Sequence, residues 1–224
     1  MENKKLLISL PDIKAAVLGK SKSILVPILN KYSIPYRLLN KHDNITNENM
    51  VFCVNYYKII PPSITDTLKY GVWIFHGSDL PKGRGWAPLA WTLINRESKF
   101  VLTLFKADGG MDTGMYFDKR SVNINETTTI YWLREKSYEM IKDLICSLFN
   151  EITSTGSITL HQQEGTPTTY VRRTPKDSEL DINRPLKELW STIRACHNDD
   201  YPAFFKIGDS KITLHYEVQK CDTK

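Results

Sequence analysis

Cysteine is scarce in this chain, and what there is lies dispersed. Cys53, Cys146, Cys196 and Cys221 form no C-x-x-C pair. Structural metal sites and disulfide frameworks use tighter spacing, so neither is expected, and reduced, mostly buried thiols of a cytoplasmic protein fit better. Long apolar runs are missing too. The opening stretch "MENKKLLISLPDIK" is halted by Pro11, Asp12 and Lys14, too early for a signal-peptide core and far too early to span a bilayer. No later segment reaches membrane length either, so a soluble protein without a membrane partner is expected. Charge of one sign is also limited. Thirty Lys and Arg against 25 Asp and Glu leave a net charge of +5. That suits an anionic ligand but lacks the dense basic stripe of a dedicated nucleic-acid binder. No internal repeat, heptad or low-complexity tract breaks the pattern.

What is present is an alternation of short apolar strands with helical segments. "KLLISL" (5–10), "PYRLLN" (35–40), "MVFCVNY" (50–56), "VWIF" (72–75) and "KFVLTLFKA" (99–107) read as strands. "MVFCV" and "VWIF" are continuously apolar, as strands covered on both faces are. Helical spacing occurs over 21–32, where Pro27 interrupts it, after the prolines at 61–62, over 87–97, and over 127–152. In the last of these, positions 141, 144, 145, 148, 149 and 152 form one apolar stripe. Alternating strands and helices predict an α/β, Rossmann-like core with a mostly parallel sheet over residues 1–152. Residues 153–224 then form a separate loop, helix and β-hairpin. The polar, Thr-, Gly- and Pro-rich stretch 153–181 reads as an irregular loop that folds back over the core. A short helix, "PLKELWSTIRACH", and the hairpin "YPAFFKI"–"KITLHYEVQK" follow it.

Ligands of open α/β sheets bind at the carboxyl ends of strands. His76 ends the strand 72–75, and the strand 99–107 runs into "KADGGMDTG" with Asp108 and Asp112. Two adjacent strands would thus deliver a histidine and an aspartate to the same edge. A carboxylate beside an imidazole fixes its tautomer and orientation and favours its charged form, as acid–base catalysis requires. On spacing alone, that reading and a structurally satisfied histidine both stand.

The stretch "FHGSDLPKGRGWAPLAW" together with "GGMDTG" resembles the signature of the folate-dependent formyltransferases. That family's motif runs Asn-x-His-x-Ser-x-Leu-Pro, a basic residue, Arg-Gly and a further proline, with Asp-Thr-Gly some three dozen residues on. His76, Ser78, Leu80, Pro81, Arg84, Gly85 and Pro88 match, and Asp112-Thr113-Gly114 follows at the right interval. "VNYYKIIPPSI" (54–64) resembles the family's segment beside the pterin, and "RRTPKDSELD" with "PAFFKIGDSKI" is similar to the tail of its tRNA and sugar branches. The resemblance covers residues 50 to 216, and residues 1–49 fit only in outline. It implies transfer of a formyl group from N10-formyltetrahydrofolate to a primary amine, with no metal. His76 would then stabilise charge on the formyl oxygen and handle the proton, with Asp112 polarising it. Tyr56, Tyr57, Asp108, Gly110 and Met111 would bind the folate. Ser78, Asp79, Lys82, Arg84, Trp86, Arg172 and Arg173 would bind the acceptor, while Trp91 is assigned to core packing.

One position departs from the motif: Ile74 stands where the family has asparagine, so a side-chain donor to the formyl oxygen is lost. A backbone N–H, a water, Asn55 or Asn95 would have to replace it, and a non-catalytic folate- or nucleotide-binding homologue stays open. The shortness of the chain after the core and its modest charge argue against tRNA as acceptor. The sugar N-formyltransferases fit better, which implies a nucleotide-linked amino sugar. UDP-linked 4-amino-4,6-dideoxy sugars, such as those leading to formamido pseudaminic acid, resemble the best match, and thymidine-linked 3- and 4-amino sugars remain open. The products would feed O-antigen, capsule or flagellar glycan assembly. The apolar hairpin residues Phe204, Phe205, Ile212 and Leu214 suit either a homodimer interface or a cover for the chain's own core.

Overall fold

The structure, a computed structural model, describes Leu10 and residues 12–221. The strand expected at 5–10 lies, Leu10 apart, outside the described residues. In chain order the elements are β1 (Ala15–Leu18), α1 (Val26–Lys31), β2 (Tyr36–Leu39), β3 (Met50–Cys53), α2 (Pro62–Thr65) and β4 (Gly71–His76). Then come β5 (Arg84–Gly85), α3 (Pro88–Ile94), β6 (Lys99–Lys106), β7 (Tyr116–Asn123) and α4 (Ile130–Thr155). β8 (Thr169–Tyr170), α5 (Leu186–Ile193), β9 (Ala203–Ile207) and β10 (Ser210–Leu214) complete the set.

Six strands form one sheet in the order β2-β1-β3-β4-β6-β7. The ladders joining β2, β1, β3 and β4 are parallel. β6 runs antiparallel to β4, and β7 antiparallel to β6. This is the α/β, mostly parallel Rossmann-like architecture expected, with an antiparallel edge added. β1 and β3 are buried at every residue, which is why "MVFC" reads as a continuous apolar run. β7 is half-exposed and carries Asp118, Lys119 and Arg120 in its middle. Charge at an open sheet edge discourages pairing with another chain, and it also erased the strand from the sequence pattern.

The long helix α4 lays its stripe on the sheet, with Leu144, Ile145, Leu148 and Phe149 wholly enclosed. Phe149 meets Tyr32 and Phe52 edge-on, with ring centroids 5.1 and 5.9 Å away. Thr129 caps its start by accepting the Trp132 N–H, and Gly156 ends it in the left-handed conformation. The helical spacing over 21–32 resolves into a 3-10 turn, Lys22–Leu25, followed by α1. Pro27 sits in the first turn of α1, where its missing N–H costs nothing.

After α4 the chain has a small cluster of its own. Leu180, Leu189, Ile193, Cys196 and Ala203 are buried together, with Trp190, Phe205, Leu214 and Tyr216 packed around them. Phe204 is buried, whereas Ile207 at the hairpin tip is exposed. Among the described residues, no helix is long and apolar enough to cross a membrane.

Candidate active site

β4 carries Ile74 and His76 on one face, because side chains two apart along a strand point the same way. The antiparallel course of β6 changes how Asp112 reaches that face. Lys106, where β6 ends, lies opposite Trp73, while His76 lies opposite Thr103. The two strands therefore do not present their carboxyl ends to one edge, as simple parallel order would have it. The loop 107–115 instead turns back along β4 to bring Asp112 up to the imidazole. Ala107 N–H on Val72 O (2.8 Å) and Lys106 N–H on Met115 O (2.9 Å) anchor the base of that loop. Gly114 has to be glycine there, since a Cβ would lie 1.8 Å from the Lys106 carbonyl oxygen.

His76 Nδ1 stands 3.6 Å from Asp112 Oδ2, and both side chains are nearly buried. His76 Nε2 is 2.8 Å from the Gly83 carbonyl oxygen. A carbonyl only accepts, so Nε2 carries the hydrogen. Asp112 Oδ2 also accepts the Gly85 N–H at 2.8 Å. The Gly-rich turn after His76 thus touches both members of the pair, one through each of two glycines. Asp112 itself has φ of +56°, a left-handed conformation that a non-glycine residue holds only where its surroundings fix it.

That turn is covered by the chain after α4. Gly83 N–H donates to Thr168 Oγ1 (2.8 Å), and β5 pairs with β8 through Arg84 N–H on Thr168 O (2.9 Å) and Trp86 N–H on Tyr170 O (3.1 Å). Trp91, assigned to the core on its helical position, is half-exposed. It donates its indole N–H to Val171 O (3.0 Å) and stacks on Tyr170. The expected loop 153–181 is therefore tied down on the site through its middle.

Arg84 reaches Gln163 Oε1 with Nη2 (2.7 Å), while its Nε is buried with no hydrogen-bond partner among the described residues. The Ser78 hydroxyl is also buried with no partner among the described residues; its backbone carbonyl accepts from Thr103 Oγ1 (2.6 Å). Trp86 lies nearly parallel to Tyr57, with planes 8° apart and centroids 5.9 Å apart, and the Arg172 guanidinium stands 4.9 Å from the Trp86 ring. Other residues named from sequence make polar contacts of their own with neighbouring protein groups. Asp79 pairs with Lys119 at 2.6 Å, Lys82 with Glu97 at 2.8 Å, and Arg173 donates to Asp177 O at 3.0 Å. Asp108 accepts from Gly110 N–H and Thr113 Oγ1, closing its own turn, from which Met111 projects into solvent. Tyr56 takes the His42 backbone N–H on its hydroxyl, which also pairs with His42 Nδ1 at 2.8 Å.

A cleft of about 460 Å³ opens beside this assembly at the carboxyl ends of β1, β2 and β3. It is lined by Gly19, Lys20, Lys22, Asn40, Asn55, Tyr56, Tyr57 and Lys58. Its position follows the rule for open sheets, and Tyr57 joins it to Trp86 and hence to the turn that holds Asp112. The lysines Lys20, Lys22 and Lys58 escaped notice in the sequence because they are spread over two loops. Cys53 offers no nucleophile, since burial pushes its thiol far above the ordinary range. No group of three or more His, Cys, Asp or Glu side chains suited to a metal ion occurs among the described residues.

The fold is shared with proteins of known structure. The methionyl-tRNA formyltransferase of Clostridium thermocellum superposes with a TM-score of 0.74 at 24% identity, over 93% of this chain and 94% of that one. A 4-N formyltransferase from Francisella tularensis matches at 0.74 and 16% identity, over 93% and 99%. HypX from Aquifex aeolicus in complex with tetrahydrofolic acid matches at 0.73 and 16% identity, over 87% of this chain and 36% of that one. The family model described as formyl transferase matches residues 28–147, more than half of the chain and the whole stretch that holds His76 and Asp112. On that match, this chain belongs to the formyl transferase family.

Proposed function

We propose that the protein transfers a formyl group from N10-formyltetrahydrofolate to the amine of a nucleotide-linked amino-deoxy sugar. The observation that carries this reading is the approach of His76 to Asp112, 3.6 Å, with the carboxylate held by the Gly85 N–H. An imidazole and a carboxylate within such reach are equipped to take a proton from an attacking amine and pass it on. The folate donor supplies the reactive formyl carbon.

Features of the chain suit each ligand. Tyr56, Ile60, Ile64, Ile74 and Ala107 belong to one apolar cluster. The turn from Asp108 packs on Pro62, where a Cβ at Gly109 would lie 2.7 Å from the ring. A flat pterin fits such a floor, and Ile74 then belongs to the floor rather than to the group of donors. For the acceptor, the lysines of the cleft and Arg172 suit a diphosphate, and Tyr57 and Trp86 offer faces for a base. Length does not separate the acceptor classes, because the match to the tRNA enzyme spans 94% of that chain. The preference for a sugar nucleotide rests on the compact, lysine-lined cleft and the modest net charge. A UDP-linked 4-amino-4,6-dideoxy sugar is the first acceptor to try, with thymidine-linked 3- and 4-amino sugars next.

A second reading, ligand binding without transfer, is favoured by Ile74 and by the engagement of both His76 ring nitrogens with protein groups. Incubation of the protein with N10-formyltetrahydrofolate and these amino sugars separates the two. Formation of formamido sugar above the rate of a His76→Ala variant supports transfer, and equal background rates in both refute it. Thermal shifts with UDP, TDP, GDP and CMP identify the nucleotide, since a ligand bound only by the folded state raises the melting temperature.

A further inference from the structure

Gln163 lies outside the signature, yet its amide is the piece that joins the two halves of the proposed site. Its Nε2 donates to Asp112 O at 2.9 Å and to Gly114 O at 2.8 Å. Its Oε1 accepts from Arg84 Nη2 at 2.7 Å. The orientation of the amide is fixed by chemistry, because two carbonyls can only accept and a guanidinium can only donate. All of its polar capacity toward the protein is directed at the loop that bears Asp112 and at the turn that follows His76. The segment carrying it is itself anchored two residues away, where His161 and Tyr116 exchange backbone hydrogen bonds of 2.8 and 2.9 Å.

The loop needs such a hold. Asp112 is in the left-handed region; the loop is tied to β4 at its base by the Ala107 N–H on Val72 O, and further along Gly110 N–H and Thr113 Oγ1 donate to Asp108 and close it only locally. The Gly85 N–H fixes the carboxylate, but Gly85 lies beside Arg84, which Gln163 also holds. We propose that Gln163 is a positioning residue: by clamping the carbonyls of Asp112 and Gly114 to Arg84, it sets the distance between Asp112 and His76. This rests on the reading of that pair as the reacting one. Without the clamp the loop keeps its fold but loses the register that puts the carboxylate against Nδ1.

The test uses the full chain labelled with 15N in its histidine rings, with no substrate added. His76 resonances are assigned with His76→Gln, and Asp112→Asn gives their position when the carboxylate is lost. Gln163→Leu removes all three bonds, while Gln163→Glu keeps size and the Arg84 contact but replaces the two donors by oxygen. Both variants are expected to move the His76 signals toward the Asp112→Asn position, with those of His42 and His197 unmoved. His76 signals that stay at the wild-type position in Gln163→Glu, in a protein that still melts cooperatively, overturn the proposal. Should Gln163→Leu fail to fold, Gln163→Glu decides alone.

Turnover gives an independent arm. Misplacement by about 1 Å costs up to roughly a hundredfold in rate. Gln163→Glu should therefore lower kcat by about ten- to a hundredfold while leaving KM for the folate donor unchanged, and should add nothing in the Asp112→Asn background. An equal loss in both backgrounds contradicts positioning through Asp112. If Asp112→Asn alone transfers formyl at the wild-type rate, the functional reading fails instead, and the ring resonances still report whether Gln163 sets the geometry.

Discussion

His76 gives its Nε2–H to the carbonyl oxygen of Gly83, seven residues further on, at 2.8 Å. That single bond decides what the ring shows to Asp112. A neutral imidazole held this way turns a lone pair on Nδ1 toward the carboxylate, 3.6 Å away. The N–H that a carboxylate accepts exists on Nδ1 only when the ring carries both protons. The arrangement is therefore completed by a proton arriving, which is what the uptake of a proton from an amine would provide.

Gly85 is expected to tolerate no side chain. Its φ is +101°, and a Cβ would lie 2.6 Å from the Tyr170 carbonyl oxygen. Gly85→Ala should destabilise the protein by about 1–3 kcal/mol from backbone strain alone. It should also displace the N–H that holds Asp112, so activity falls more than stability accounts for. Urea unfolding and turnover of one preparation check both effects, and a variant with wild-type stability contradicts the geometry of the turn.

Arg194 is a buried guanidinium whose partners are carbonyls. It donates to Asn125 O, to Thr128 O at 3.4 Å and to Leu93 O at 3.3 Å, linking the end of α3 to the loop before α4. Its own backbone carbonyl accepts the Ile130 N–H and the Tyr216 hydroxyl. Leu93 O also accepts the Arg96 N–H (3.2 Å) and Asn125 O the Thr128 N–H (3.2 Å). Arg194→Met therefore weakens the contacts at those two carbonyls and takes the guanidinium from Thr128 O, a buried acceptor worth about 1–3 kcal/mol where water cannot reach. A loss of about 1–3 kcal/mol by denaturant titration is expected, and unchanged stability contradicts the role.

Much of this framework was readable in advance. Continuous apolar runs announced β3 and β4, and the stripe on α4 was complete because that helix meets the sheet along its length. Three features were hidden for physical reasons. β1 is four small or aliphatic residues, too short for a period to show. β7 mixes charge with apolar residues at an exposed edge. The direction of β6 leaves no trace in its composition, since a buried antiparallel strand and a buried parallel one are equally apolar. The His76–Asp112 approach was legible from the signature, but the doubling back of the loop that creates it was not. Gln163 could not be seen at all, because its partners are 79, 51 and 49 residues away in sequence.

Acid should weaken the protein through Glu48. Burial raises the pKa of this carboxyl, but N–H donors from the backbone at Thr46 and the Arg37 guanidinium outweigh it, leaving the pKa below its ordinary 4.5. A group whose folded-state pKa is depressed contributes stability above its unfolded value and loses it as pH falls through the folded one. Stability should thus decline below about pH 4.5, and Glu48→Gln should flatten that part of the decline. Equal slopes for variant and wild type in melts from pH 6 to pH 3 exclude the contribution.

Tyr57 faces Trp86 at the mouth of the cleft and lies 5.7 Å under the Lys20 ammonium. Tyr57→Ala removes one stacking face from an exposed position, so stability should hardly change. Affinity for the preferred nucleotide should drop by roughly 1–2 kcal/mol, about five- to thirtyfold. Calorimetric titration reads this directly, and an unchanged Kd places the base elsewhere.

The most direct measurement of the central claim is single-turnover formyl transfer from N10-formyltetrahydrofolate to the UDP-linked 4-amino-4,6-dideoxy sugar, comparing wild type with Asp112→Asn. The substitution keeps the size of the side chain and an oxygen for the Gly85 N–H, and removes only the charge beside His76. A rate lower by about a hundred- to a thousandfold, with ligand affinity retained, is the predicted result. Transfer by Asp112→Asn at the wild-type rate would contradict the account.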